Sequence, residues 1–170
     1  MQGKVDLPLP ISEYTGTYFA ADYGKITFCS SKSSSKQAGG SESYCDSLRS
    51  NFERVDKAEN RTMRALELFA STPRVWFSQI RMTHLSSNVF SAKFITLFPS
   101  GFGVDTHPFT YEGEKGAWVR FVLKEDEQKK LHVDGFTVCG IIRGAESIQG
   151  DCTDGVENYG NTVVWFKRVD

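Results

Sequence analysis

Three histidines and one aspartate are the residues most able to carry acid–base chemistry. His84, His107 and His132 lie in separate segments, and none has a second His or a Cys two or four residues away, so no metal site is expected. His84 closes an alternating segment on the same side as Trp76, where an imidazole could carry protons at a barrel mouth. A strand-end histidine bonded to backbone or solvent is the competing structural role. His107 follows Asp105 by two residues, a spacing that lets a carboxylate orient an imidazole, although an aspartate there more commonly stabilises a turn. His84, Asp105 and His107 are therefore the candidate catalytic residues, and no cofactor is expected.

Aromatic and guanidinium side chains form a second candidate set. Trp76, Trp118 and Trp165 fall in different predicted strands, with Tyr14, Tyr18, Tyr23 and Tyr111 in or beside others. In a binding barrel such rings line a cavity for a small apolar ligand, while Arg74, Arg81 or Arg120 supplies a counter-charge or stacking plane. The same rings can also simply fill the interior of a small barrel. On the binding reading the ligand residues are Tyr18, Tyr23, Arg74, Trp76, Arg81, His84 and Trp118. Segments 74–84 and 98–109 then form one mouth, with Gly101 and Gly103 freeing the second as a gate.

The cysteines fall into two sequence-local pairs, Cys29 with Cys45 and Cys139 with Cys152, without zinc-like spacing. Two disulfides are the preferred reading over four buried thiols, the first of them closing a Ser- and Gly-rich surface loop at 30–43. Asn60-Arg61-Thr62 is a glycosylation sequon, which adds to the case for secretion. The start of the chain lacks the apolar core of a signal peptide, so the chain is read as trimmed, with a cytoplasmic location as the alternative.

The elements that must position these residues read as strands. Period-two alternation recurs in short aromatic or β-branched segments at 13–20, 25–29, 65–69, 75–84, 89–98, 117–123, 131–138, 140–143 and 162–169. Asp22-Tyr23-Gly24 and Ser86-Ser87-Asn88 supply hairpin turns, and the mixed charges of 124–130 a solvated one. Leu48, Phe52 and Val55 have helical spacing, predicting one short helix within 44–56. Segments 76–84 and 89–98 are apolar on both faces, which requires a cover outside the sheet or a ligand inside it. The expected fold is an all-β, antiparallel barrel of about eight strands in a single domain spanning 1–170. With 170 residues and a formal charge of −1, the chain has no field to hold a nucleic-acid backbone or an anionic membrane. It also has no apolar run long enough to span a bilayer.

Specific motifs add a resemblance. Glu13-Tyr14-Thr15-Gly16-Thr17-Tyr18, followed by Asp22-Tyr23-Gly24 and Ile26-Thr27-Phe28, resembles the opening of the lipocalin-like C-terminal domain of β-lactamase-related (penicillin-binding-protein-like) serine hydrolases. Pro73-Arg74-Val75-Trp76, the segment from Leu97 through Pro108-Phe109, and Val164-Trp165-Phe166-Lys167-Arg168 resemble the fungal, mostly secreted branch of that family. Cys29 and Cys45 fall where that branch tends to carry cysteines. The resemblance implies a lipocalin-like barrel that assists substrate access, assembly or stability and is not itself catalytic. The parent chemistry needs Ser-x-x-Lys and Tyr-x-Asn elements in a much longer domain. Ser33-Ser34-Ser35-Lys36 and Tyr159-Gly160-Asn161 match them only in form, because Ser33 sits in a loop that offers neither burial nor a fixed base. The leading expectation is a barrel that binds a small hydrophobic molecule or docks on a hydrolase domain. The alternative is a free-standing barrel enzyme that isomerises or cyclises a small hydrophobic metabolite by fixing its conformation in a dry cavity.

Overall fold

The computed structural model describes residues 6–31, 41–72, 77–143, 146–148 and 164–170, with backbone only at 41–43, 114–115, 139–143 and 146–148. A 3-10 turn at Ile11–Tyr14 precedes strands β1 (Gly16–Ala20) and β2 (Gly24–Ser30). Helix α1 (Ser41–Ala58) follows, then β3 (Glu67–Ser71), β4 (Gln79–Ser86), β5 (Val89–Phe98), β6 (Phe109–Glu125), β7 (Leu131–Arg143), β8 (Glu146–Ile148) and β9 (Val164–Arg168).

Each antiparallel strand pairs with its neighbour around a closed ring in the order β1, β2, β3, β4, β5, β6, β7, β9, and β8 folds back on the end of β7. Closure removes the sheet edges that would otherwise template aggregation. The ring is sealed where Tyr18 and Phe19 of β1 pair with Arg168 and Lys167 of β9. There the Asp170 carboxylate accepts the Thr17 N–H at 2.6 Å, and Arg168 donates to the Glu13 carbonyl at 2.7 Å. Gly16 is required at this seal, since its φ of 127° is costly for other residues and a Cβ would come within 2.7 Å of the Asp170 carboxylate.

Because successive strands alternate in direction, the barrel has two distinct ends. The 3-10 turn, the β4–β5 hairpin, the β6–β7 turn and the C-terminus share one, here termed the capped end. The β1–β2 turn, the β3–β4 and β5–β6 connections and the start of β9 share the other, the rim. The β4–β5 turn is tight, with Ser87 at φ 50°. It is locked to β6 by the Phe121 N–H donating to Asn88 O and the Asn88 side chain donating to Phe121 O.

Two cores result. Inside the barrel, Tyr14, Tyr18, Phe28, Phe90, Phe121 and Phe136 are essentially fully buried and meet largely edge-to-face, with Tyr14–Phe121 centroids 5.1 Å apart and Tyr18–Phe136 5.2 Å. Outside it, α1 lays Leu48, Phe52 and Val55 on Phe69, Ile95 and Leu97. This explains why the β4 and β5 segments are apolar on both faces: the cover is the chain's own helix. Cys29 and Cys45 form a disulfide that pins the first part of α1 to β2. Of the second expected pair, the Cys139 side chain and Cys152 lie outside the described residues, as does the loop at 32–40 with Ser33 and Lys36, and so do Tyr159 and Asn161.

Candidate functional site

The candidate residues distribute over four places. Tyr18 and His84 face the barrel interior, with Tyr18 in the main cluster and His84 beside Phe90 at 5.3 Å. Tyr23 stands in the β1–β2 turn at the rim, 5.8 Å from the Phe166 ring. Arg81 and Trp118 lie on the outer wall, because each alternates with interior neighbours, Ile80 and Met82 for the one and Ala117 and Val119 for the other. Arg74 and Trp76 lie outside the described residues. The expectation of a single mouth joining the His84 region to the 98–109 loop is corrected by strand direction. His84 pairs with Phe90 at the start of β5 and Phe98 ends that strand, so the two sit at opposite ends of the barrel.

Arg81 is a structural ion rather than a lining residue. Its guanidinium donates to both Asp56 oxygens of α1, at 2.5 and 3.0 Å, and to Glu67 of β3 at 3.3 Å, with the Phe52 ring 4.9 Å from its central carbon. All three charges are buried beneath the helix, where a two-pronged donor satisfies two carboxylates as an ammonium could not. Asp105 and His107 are exposed, and the Asp105 carboxylate accepts the backbone N–H of His107 at 2.9 Å. That is the turn-stabilising role. Asn60, at φ 54°, is exposed just beyond α1 and accessible to modification.

Inside the barrel at the capped end, the buried polar groups include the Tyr14 and Tyr18 hydroxyls and the His84 ring. Tyr18 donates its hydroxyl to the Tyr14 carbonyl at 2.9 Å. Burial pushes the Tyr14 phenol up to about 12, partly offset by the Leu9 backbone, and pushes Tyr18 higher still, with Arg168 opposing. His84 Nε2 lies 2.8 Å from the Ser87 carbonyl, and since a carbonyl only accepts, Nε2 carries the proton in the neutral ring. Nδ1 is then a buried lone pair with no hydrogen-bond partner among the described residues.

Toward the rim the interior side chains become smaller. On β1, β3, β5 and β6 a large residue near the capped end is succeeded one pleat rimward by alanine: Tyr18 then Ala20, Leu68 then Ala70, Phe90 then Ala92, Val119 then Ala117. Above this alanine belt Phe77, Phe94 and Tyr111 form an aromatic ledge, with Phe77 stacked parallel to Tyr111 at 6.4 Å and tilted on Phe94 at 6.3 Å. Gly113 makes room for it, since a Cβ there would approach the Phe77 ring to 2.5 Å. Neither belt nor ledge was anticipated as a site, although large-x-Ala spacings on predicted strands were visible in the sequence.

No family model matches the chain, and no curated protein or solved structure matches it to a significant degree.

Proposed function

We propose that this chain is a lipocalin-like barrel that binds a small apolar ligand between the alanine belt and the aromatic ledge, related to the accessory barrel of fungal β-lactamase-related serine hydrolases. The observation that carries the reading is the size gradient inside a closed barrel: a wall filled by rings at the capped end narrows to Ala20, Ala70, Ala92 and Ala117 toward the rim. A ledge in which Phe77 lies against both Phe94 and Tyr111 can swing aside at low cost compared with a strand. Interior walls of this kind select by shape and apolarity.

Docking on a hydrolase lobe is the weaker alternative, because the outer face that would need such a cover already carries α1. The isomerase or cyclase alternative would draw on His84 Nδ1 as its acid–base group, the described interior position where a base lone pair is preformed. The Cys29–Cys45 bridge fits an oxidising compartment, and we take secretion as part of this proposal.

The test is native mass spectrometry of freshly purified protein together with titration by a polarity-sensitive apolar dye. Saturable one-to-one binding is expected, and Phe77→Ala should weaken it by about 0.5 to 1.5 kcal/mol, the value of an aromatic contact. Absence of both a carried small molecule and saturable dye binding would refute the binding reading.

A further inference from the structure

Beyond Gln79↔Ile95 the β5 strand has no β4 partner, yet β5 and β6 continue to pair with one another through Thr96↔Tyr111, Leu97↔Thr110 and Phe98↔Phe109. Partnership of β6 with β7 starts only at Lys115. Among the described residues, the two strands therefore continue past their sheet neighbours as a two-stranded ribbon at the rim, with Leu97 at its base held under α1 and its N–H donating to the Gln79 side chain at 3.0 Å. Its tip is ordered by reciprocal backbone hydrogen bonds between Phe102 and Asp105, at 2.7 and 3.1 Å, and by the Gly101 N–H donating to Phe98 O. Phe98 stacks on Phe109 at 4.5 Å and meets Phe102 edge-on at 5.7 Å, which stiffens the ribbon's base.

This stiff tip carries apolar side chains outward. Phe102 is 71% exposed, Val104 is fully exposed and Tyr111 is 59% exposed, and Tyr23 in the β1–β2 turn lies at the same end of the barrel at 47%. Segment 96–110 contains no Lys or Arg and a single carboxylate, Asp105. The opposite end has the reverse character, with Lys124, Glu125, Asp126, Glu127, Lys129 and Lys130 all exposed. Among the described residues the 98–109 tip is thus apolar, although Asp22 and Lys25 are exposed at the neighbouring β1–β2 turn, whereas the β6–β7 turn at the cap is densely charged.

We infer that the rim ribbon inserts Phe102 and Val104 into an uncharged lipid surface, which presents the barrel mouth to the apolar ligand dissolved there. The inference deepens the binding reading by naming where the ligand is taken from. Three features select a lipid surface over a protein. The tip offers two exposed apolar side chains on one turn, Phe102 and Val104, whereas a stable protein contact needs about 800 Å² on each partner. Aromatic rings with an aliphatic neighbour are the side chains that partition into the interfacial layer. Absence of a basic residue along 96–110 removes anionic attraction, so burial of apolar area drives the contact alone. The sequence expectation of no membrane partner rested on charge and span length, and neither bears on such a contact.

The experiment is flotation of the full chain with phosphatidylcholine vesicles, compared with vesicles that also contain phosphatidylserine, at low and high salt. Wild type is expected to float with both, indifferently to salt. The variant Phe102→Ser/Val104→Ser should partition at least about tenfold more weakly, and because Phe102 also meets Phe98, the single variant Val104→Ser, at a fully exposed site, is run beside it and should weaken partitioning with the melting temperature unchanged. Failure of wild type to float overturns the inference, as does binding that requires phosphatidylserine and vanishes with salt. If the double variant floats like wild type but loses a self-association detected by light scattering, the tip is a contact between copies and the inference is again overturned. Dye titration without vesicles separates this from the binding reading: flotation without saturable dye binding sinks the ligand site while the lipid contact stands, and the reverse result sinks only the lipid contact.

Discussion

Replacing Arg81 with alanine separates the two roles its side chain could have. Arg81 holds Asp56 and Glu67 with three hydrogen bonds, at 2.5, 3.0 and 3.3 Å, and their side chains are only 3% and 6% exposed. Its removal leaves two buried carboxylates beneath α1 without the guanidinium they share, with only the more exposed Arg61 acting on Asp56. Breaking a buried pair by deleting one partner costs about 3 to 5 kcal/mol, and here two anions are stranded, so the upper part of that range is expected. Stacking against Phe52 adds a smaller loss of packing. Against a total stability of about 5 to 15 kcal/mol for a domain, that is a large fraction. Arg81→Lys restores charge without the two-pronged geometry and should recover only part of it. The assay is urea unfolding followed by tryptophan fluorescence, paired with dye titration of the folded fraction. Dye affinity should be unchanged, because the guanidinium stands on the outer wall. A variant that keeps its stability and loses ligand affinity would place Arg81 in the binding site after all and refute this account.

Further expectations follow from other features. Cys45→Ser should cost about 3 kcal/mol by loop entropy for a bridge spanning 16 residues; an unfolding midpoint equal to that of wild type in urea would count against it. Stability should fall between pH 10 and about 12, because buried Tyr14 keeps its proton in the folded state to about 12 while the unfolded chain releases it near 10. Its contribution is complete below pH 10 and lost as pH rises, with Tyr18 acting in the same direction, and phenolate absorbance during alkaline unfolding reads both. Gly113→Ala should displace the Phe77 ring without disturbing the barrel, lowering stability by at most about 1 kcal/mol while speeding dye exchange. A large melting shift with unchanged exchange would mean that the ledge belongs to the core.

Much of the architecture was legible because alternation and turn chemistry are local signals. The β5 strand was expected at 89–98 and is found at Val89–Phe98, with the Ser87-Asn88 turn before it. The helix expected within 44–56 is present and extends from Ser41 to Ala58. Two segments expected as separate strands, 131–138 and 140–143, are one strand, since pairing with β6 carries the backbone through Gly140. The site was less legible because alternation assigns a face but not a level along the barrel axis. His84 was on the right face and at the wrong end. Arg81 and His84 differ by three residues, so in a regular strand they cannot share a face, and that parity alone excluded a common pocket. That the polar cluster of Asp56, Glu67 and Arg81 forms at all depends on contacts between elements far apart in sequence, which no local pattern encodes.

The same geometry divides the barrel's tasks between its ends. At the cap, tertiary hydrogen bonds tie distant parts of the chain together: Thr17 to Asp170, Arg168 to Glu13, and Phe121 to Asn88. They flank the fully buried rings of Tyr14, Tyr18 and Phe121, and it is that packed interior that gives this end its share of the domain's stability. At the rim, among the described residues, the ribbon's outer strand positions pair with each other. Its described side-chain ties lie on both flanks: the Leu97 N–H donates to Gln79 of β4 at 3.0 Å on one, and on the other the Thr110 N–H donates to Glu59 at 2.6 Å while Glu112 meets Lys93 and Arg61 at 2.9 Å each. Movement is therefore confined to the tip beyond the Phe98–Phe109 pair, where Phe102 and Val104 are already exposed, while Leu97 stays packed under α1. On the proposed binding reading, ligand exchange requires an end that opens far below the cost of unfolding, and a barrel whose opposite end is closed by the pairing of β1 with β9 can supply it without losing its fold.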